Sequence, residues 1–152
     1  MNIAAIGSAI ATLFSTLTPP TGYVAIQKST SLRQGGAGKL PMAVTAWAGT
    51  RDLTYGFGRR EGVAEFLTTV YLPQAKDEPT TDAMLQAWHD VVIDATLGQL
   101  QLDQWGGALN NGVRGAYVRS VTPDEQQLGE SYYAVLEVAI EVDFEHAITV
   151  SA

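Results

Sequence analysis

From Tyr132 the chain alternates with a period of two. The even positions read Tyr132, Ala134, Leu136, Val138, Ile140, Val142 and Phe144, and the odd ones Tyr133, Val135, Glu137, Ala139, Glu141, Asp143 and Glu145. Successive side chains of a strand point to opposite sides, so this pattern predicts one long strand with a buried face and an acidic face. Such a strand needs a hydrogen-bonded neighbour and a cover for its apolar side. "VRGAYVRSVTPD" (113 to 124) is the natural hairpin partner, joined through the polar "TPDEQQLGES".

Two segments have the spacing to provide the cover. In the first, Ile3, Ile6, Ile10, Leu13, Phe14 and Leu17 recur at helical intervals with Ser8, Thr12, Ser15 and Thr16 between them. It lacks the basic start of a signal peptide, and we read it as a one-sided helix that docks on the domain. In the second, "TDAMLQAWHDVVIDATLGQL", the residues Met84, Leu85, Trp88, Val91, Val92 and Ala95 share a face, with Thr80 or Thr81 as the expected cap and an end near Gly98. No apolar run is long enough to span a bilayer.

Between the helices, "TPPTG" (18 to 22) is a stop, because paired prolines cannot continue a helix. "YVAIQK" (23 to 28), "PMAVTAWAG" (41 to 49) and "VAEFLTTVYLP" (63 to 73) then read as strands rich in β-branched and aromatic residues. The sequence thus predicts one α+β domain over residues 1–152, with a mainly antiparallel sheet of about five strands and two helices packed on one face. The expected order is helix, three strands, helix, two strands, with exposed loops near 29–40 and 50–62. At 152 residues such a domain buries a core without staples, and the lack of cysteine removes disulfides, thiolate nucleophiles and sulfur-bound zinc from consideration.

Charge is unevenly distributed. The whole net charge of −7 lies in residues 120–152, which contain no Lys or Arg, whereas residues 28–60 carry Lys28, Arg33, Lys39, Arg51, Arg59 and Arg60 against Asp52 alone. The basic cluster Arg33, Lys39, Arg51, Arg59 and Arg60, with Tyr55 and Phe57 nearby, has the composition of a nucleic-acid footprint. An overall pI near 4.6 argues against free-standing DNA binding, where phosphate contacts supply most of the affinity.

The chemical motifs fail one by one. "SLRQGGAGKLP" (31 to 41) resembles a phosphate cradle only at first sight: Gly38-Lys39 is followed by Leu40 instead of a hydroxyl residue, and Arg33 stands where the first glycine belongs. A β-rich run follows it, not a helix, so the stretch is expected to be a contact loop. His89 and Asp90 are helix neighbours whose side chains point about 100° apart, and His146 is far along the chain, so no metal centre is expected from the histidines. The row Glu137, Glu141, Asp143 and Glu145 could in principle supply paired carboxylates or oxygen ligands, with same-face neighbours roughly 7 Å apart. A regular row on one strand face is more simply a solvated surface. The expectation is therefore no enzyme, no cofactor and no metal.

The order of "LPMAVTAWAG", "EFLTTVYLP", "TTDAMLQAWHDVV", "TLGQL" and "YYAVLEVAIEVDFE" after a short helical start resembles, over nearly the whole chain, the tail terminator proteins of long-tailed bacteriophages. The resemblance implies a structural subunit of the virion tail or neck, assembled in the host cytoplasm. It implies a homo-hexameric ring that sits on the tail tube protein, ends tube growth and presents a surface to the head-completion (neck) protein, with DNA only passing through the lumen and no membrane involved. Two mechanisms follow as expectations. Either Arg33, Lys39, Arg51, Arg59 and Arg60 form a subunit or tube interface, their loops ordering on the tube or on a neighbour where they meet Glu137, Glu141, Asp143 and Glu145, or the acidic face lines the lumen and repels DNA. The competing expectations are a neck or stopper protein, a tail-tube subunit, and a monomeric α+β domain with a ligand or catalytic pocket between helix and sheet.

Overall fold

A computed structural model of the chain describes residues 3–31, 39–56, 58–74, 77–99 and 112–147. The order is α1 (Ile3–Ser15), β1 (Lys28–Thr30), β2 (Met42–Gly56), β3 (Arg59–Leu72), α2 (Glu78–Gln99), β4 (Val113–Leu128) and β5 (Ser131–Ala147). The five strands form one sheet in the order β1-β2-β3-β5-β4. It is a mixed sheet: β1 runs parallel to β2, and the other three pairings are antiparallel. The α+β class, the element order and the predominance of antiparallel pairing are as the sequence predicts.

The period of two in β5 sets the core. Ala134, Leu136, Val138, Ile140, Val142 and Phe144 are all buried, and they face Ile6, Ile10 and Phe14 of α1 and Met84, Leu85, Trp88 and Val92 of α2 in a single apolar cluster. Ala64, Phe66, Val70 and Leu72 continue that layer across β3, so both helices lie over one face. Tyr132 breaks the even-position rule and is 60% exposed. The last β3 residue, Leu72, pairs with Ala134, so Tyr132 lies past the end of the strand that would flank it.

The core layer also holds a polar pair: Thr45 and Thr68 stand opposite each other, both buried, with their hydroxyls 2.8 Å apart. Each hydroxyl satisfies the other, which a buried polar group requires.

Several boundaries differ from the sequence reading, each for a local reason. Residues 23–27 are not a strand. Tyr23 donates its N–H back to Pro20 at 3.0 Å in a turn that Gly22 enters at a φ of 88°, and pairing with β2 begins only at Lys28. The expected exposed connection at 50–62 is mostly strand, with β2 running to Gly56 and β3 starting at Arg59. Its turn residues are absorbed as irregularities in the ladder between Trp47 and Gly49 and between Arg51 and Thr54, where Asp52 has a φ of 55°. Likewise "TPDEQQL" extends β4 to Leu128, leaving Gly129 and Glu130 as the turn. Of the expected loop at 29–40, Lys28–Thr30 is β1 and residues 32–38 lie outside the described residues.

The cap of α2 is Asp77 in place of the expected Thr80 or Thr81. Its carboxylate accepts the Thr80 N–H at 2.8 Å, and hydrogen bonding from Thr80 holds the Asp77 carboxyl below the usual carboxylate range. Among the described residues no helix is long and apolar enough to cross a membrane.

Candidate interaction surface on the helix-free face of the sheet

The odd positions of β5 occupy the face that the helices leave uncovered. At one end this face is apolar: Met42, Val44, Tyr71 and Val135 form a second buried cluster with Leu40, Leu128 and Tyr133 packed around it. Tyr71 meets Tyr133 edge to face at 6.1 Å and donates its hydroxyl to Gln126 Oε1 at 3.0 Å, while Gln126 Nε2 donates to Glu137 at 2.8 Å. Burial, and then the negative charge of Glu137, push the Tyr71 hydroxyl above its ordinary pKa.

Toward the other end the face becomes charged. Register places Glu65 of β3 directly opposite Glu141 of β5, and Glu61 opposite Glu145. Like charges in that position repel. An arginine from a flanking strand clasps each pair. Arg51 of β2 donates through Nε to Glu65 at 2.7 Å and through Nη2 to Glu141, with Nη1 on Asp52. Arg114 of β4 reaches both Glu61 at 3.4 Å and Glu145 at 3.3 Å. Arg59 adds a contact to Glu145 at 2.9 Å, and Arg119 a contact to Glu141 at 3.2 Å. The Glu65 carboxylate, followed by that of Glu141, pushes the Arg51 pKa further up from its already high ordinary value. The face is therefore a lattice of ion pairs spanning four strands, with more carboxylates than guanidinium groups.

The structure regroups the residues that the sequence singled out. Arg51 and Arg59 of the basic cluster, and Glu141 and Glu145 of the acidic row, are partners inside one subunit, so the charge polarity of the sequence is partly cancelled in space. Glu137 accepts from a neutral glutamine, and Asp143 stands opposite Val63. Lys39 is exposed just before β2, at the opposite end of the sheet from Arg59. Arg60 alternates with Arg59 and Glu61 and so belongs to the other face, paired in register with Tyr55. Arg33 and Phe57 lie outside the described residues.

His89 is exposed on α2 with Nδ1 3.0 Å from Asp90, and the His146 side chain lies outside the described residues. The sequence reading missed Glu61, Glu65, Arg114 and Arg119. Glu61 and Glu65 do carry a signal, since they alternate with buried Gly62, Ala64 and Phe66, but their arginine partners are visible only once strand order is known.

Oxygens already taken by guanidinium groups have less to offer a cation or a substrate. A cleft of about 620 Å³ does open elsewhere, beside the start of α2, where Asp77, Glu78, Asp82, Asp124 and Glu125 bring further negative charge. The acidic row of β5 does not line it. In comparisons with known proteins, no family model matches the chain and no curated protein matches it.

Proposed function

We propose that this chain is a structural ring subunit of the tail-terminator kind, which caps a phage tail tube, ends its growth and offers a surface for head joining. The observation that carries the reading is the helix-free face: a broad, ion-paired, slightly acidic surface built across β2, β3, β5 and β4, opposite a face closed by two helices. Such a surface suits a channel that DNA traverses, because carboxylates in excess repel phosphate and the arginines are already engaged. Of the two mechanisms expected from the sequence, the lumen role has the better support, since Arg51 and Arg59 are paired with Glu141 and Glu145 within the subunit.

Size exclusion with light scattering over a range of concentrations, and negative-stain images of the same fractions, test the reading. Closed rings with a central hole, which also stop the growth of isolated tail tubes, are the expected result. A strict monomer that fails to cap such tubes would overturn it. Rings that bind heads and ignore tubes would move the protein to the neck.

Charge reversal separates the two mechanisms best at Glu137, whose partner is neutral. Glu137→Lys is expected to leave rings intact. Glu141→Lys sets a lysine against Arg51 and Arg119 and disturbs the subunit itself.

A further inference from the structure

Both edges of the sheet are open among the described residues. β1 pairs with β2 only from Met42 to Val44, so among the described residues Thr45–Gly56 has no second neighbouring strand. At the other side β4 pairs with β5 along Val113–Leu128 and has no outer neighbour among the described residues. Open edges of this length are templates for pairing with another chain, and proteins that stay monomeric usually blunt them. Bulges interrupt both edges here, and β4 also carries Pro123, yet large side chains stand exposed along them: Trp47 is 51% exposed and Tyr55 70% on β2, and Tyr117 is 53% exposed on β4.

The two edges fit each other. Successive antiparallel pairings from β2 through β3 and β5 to β4 make β4 antiparallel to β2, so copies placed side by side continue the alternation without a reversal. They are also level: Arg51, Val63, Asp143 and Gly115 form one transverse row. Each edge has a ladder irregularity beside that row, with exposed Asp52 on β2 and Arg114 on β4. A level β2-to-β4 joint brings exposed Asp52 of one copy beside exposed Arg114 of the next, in addition to the ion pair Asp52 makes with Arg51 and those Arg114 makes with Glu61 and Glu145 within the subunit.

We infer that the subunits join head to tail by adding the Val113 end of β4 of one copy to the Thr45–Gly56 edge of β2 of the next, making one continuous antiparallel sheet. This deepens the ring reading and rests on it for closure, since a heterologous contact closes only if its rotation does. The helix-free faces of all copies then form one surface.

The cysteine-free chain allows a direct test. Within a subunit β2 and β4 are three strand spacings apart, about 14 Å, whereas a disulfide needs Cα atoms about 4–7 Å apart. A disulfide between the two edges must therefore join two copies.

Asp52→Cys is combined in turn with Arg114→Cys, Tyr117→Cys or Arg119→Cys, which allows for a sheared register. Circular dichroism of each variant checks folding. At least one double variant is expected to give, on mild oxidation, a ladder rising in steps of one 16.2 kDa subunit that a thiol collapses. The single variants should remain monomeric on the same gel.

Folded double variants that form rings by light scattering but give no ladder would overturn the edge joint and leave the ring reading standing. Dimers from a single variant as abundant as those from the doubles would overturn it in favour of a two-fold joint. A ladder from open chains that never close would uphold the joint and remove the cap.

Discussion

The two faces of the sheet are made from the same strands and held by different physics. On the helix-covered face of β5 six consecutive even positions are buried beneath α1 and α2. On the other face only Val135 is fully buried, and from Glu137 to Glu145 the residues are charged except Ala139. Apolar burial stabilises in proportion to area and needs no precise partner, whereas exposed ion pairs contribute little each and depend on geometry and salt. Stability should therefore be concentrated on the covered face, leaving the other free to be shaped for contact.

The largest effect that tests this contrast is expected at Trp88, which is fully buried at the centre of α2. Trp88→Ala removes an aromatic side chain from the core cluster beneath the helices and should cost about 3–5 kcal/mol in urea denaturation. A loss comparable to that of a surface change would mean that α2 does not hold the sheet.

Next in size is the Thr45–Thr68 pair. Thr68→Val leaves the Thr45 hydroxyl buried without a partner and should cost roughly 1–3 kcal/mol. The double variant Thr45→Val with Thr68→Val removes both hydroxyls and is expected to cost clearly less than the sum of the single changes. Additivity would show that the two hydroxyls act independently.

The covered face was the more legible in the sequence because its signal is periodic and local. Ala134 through Phe144 and Met84 through Val92 declare their burial within one element, whatever lies opposite. The charged face depends on pairing between distant elements: Arg51 meets Glu141 across ninety positions, and no property of either segment alone predicts that. The same limit misplaced residues 50–62, where Asp52 and Gly56 have the composition of a loop. Ladder pairing with β3 overrides that composition by absorbing the extra residues as bulges. The Thr45–Thr68 pair was equally hidden, since two threonines in β-rich runs have no signature until register brings them together.

A smaller effect is expected on the charged face. Arg51→Ala leaves Glu65 and Glu141 opposed without their clasp, yet all three side chains reach solvent. The melting temperature should fall less than for either covered-face change, and the gap from the unaltered protein should narrow as salt rises and screens the exposed carboxylates. A large, salt-independent loss would assign this face a share of the folding energy that the contrast denies it.

The smallest effect lies at the boundary between the two kinds of surface, where Tyr71 belongs to the apolar end of the helix-free face and feels the charge of Glu137. Its hydroxyl is raised above the ordinary tyrosine value of about 10. The unfolded chain therefore releases this proton at a lower pH than the folded one. Below about pH 10 both states hold the proton and nothing changes with pH; above it the unfolded state alone ionises, so stability falls until the raised value is passed. Tyr71→Phe removes this step while also losing the hydrogen bond to Gln126. In paired denaturation curves the variant should start less stable near neutrality, and the difference should shrink above about pH 10. A constant difference across that range would mean that the hydroxyl is not held protonated by its surroundings, and that the apolar cluster around it is open to water like the charged end of the same face.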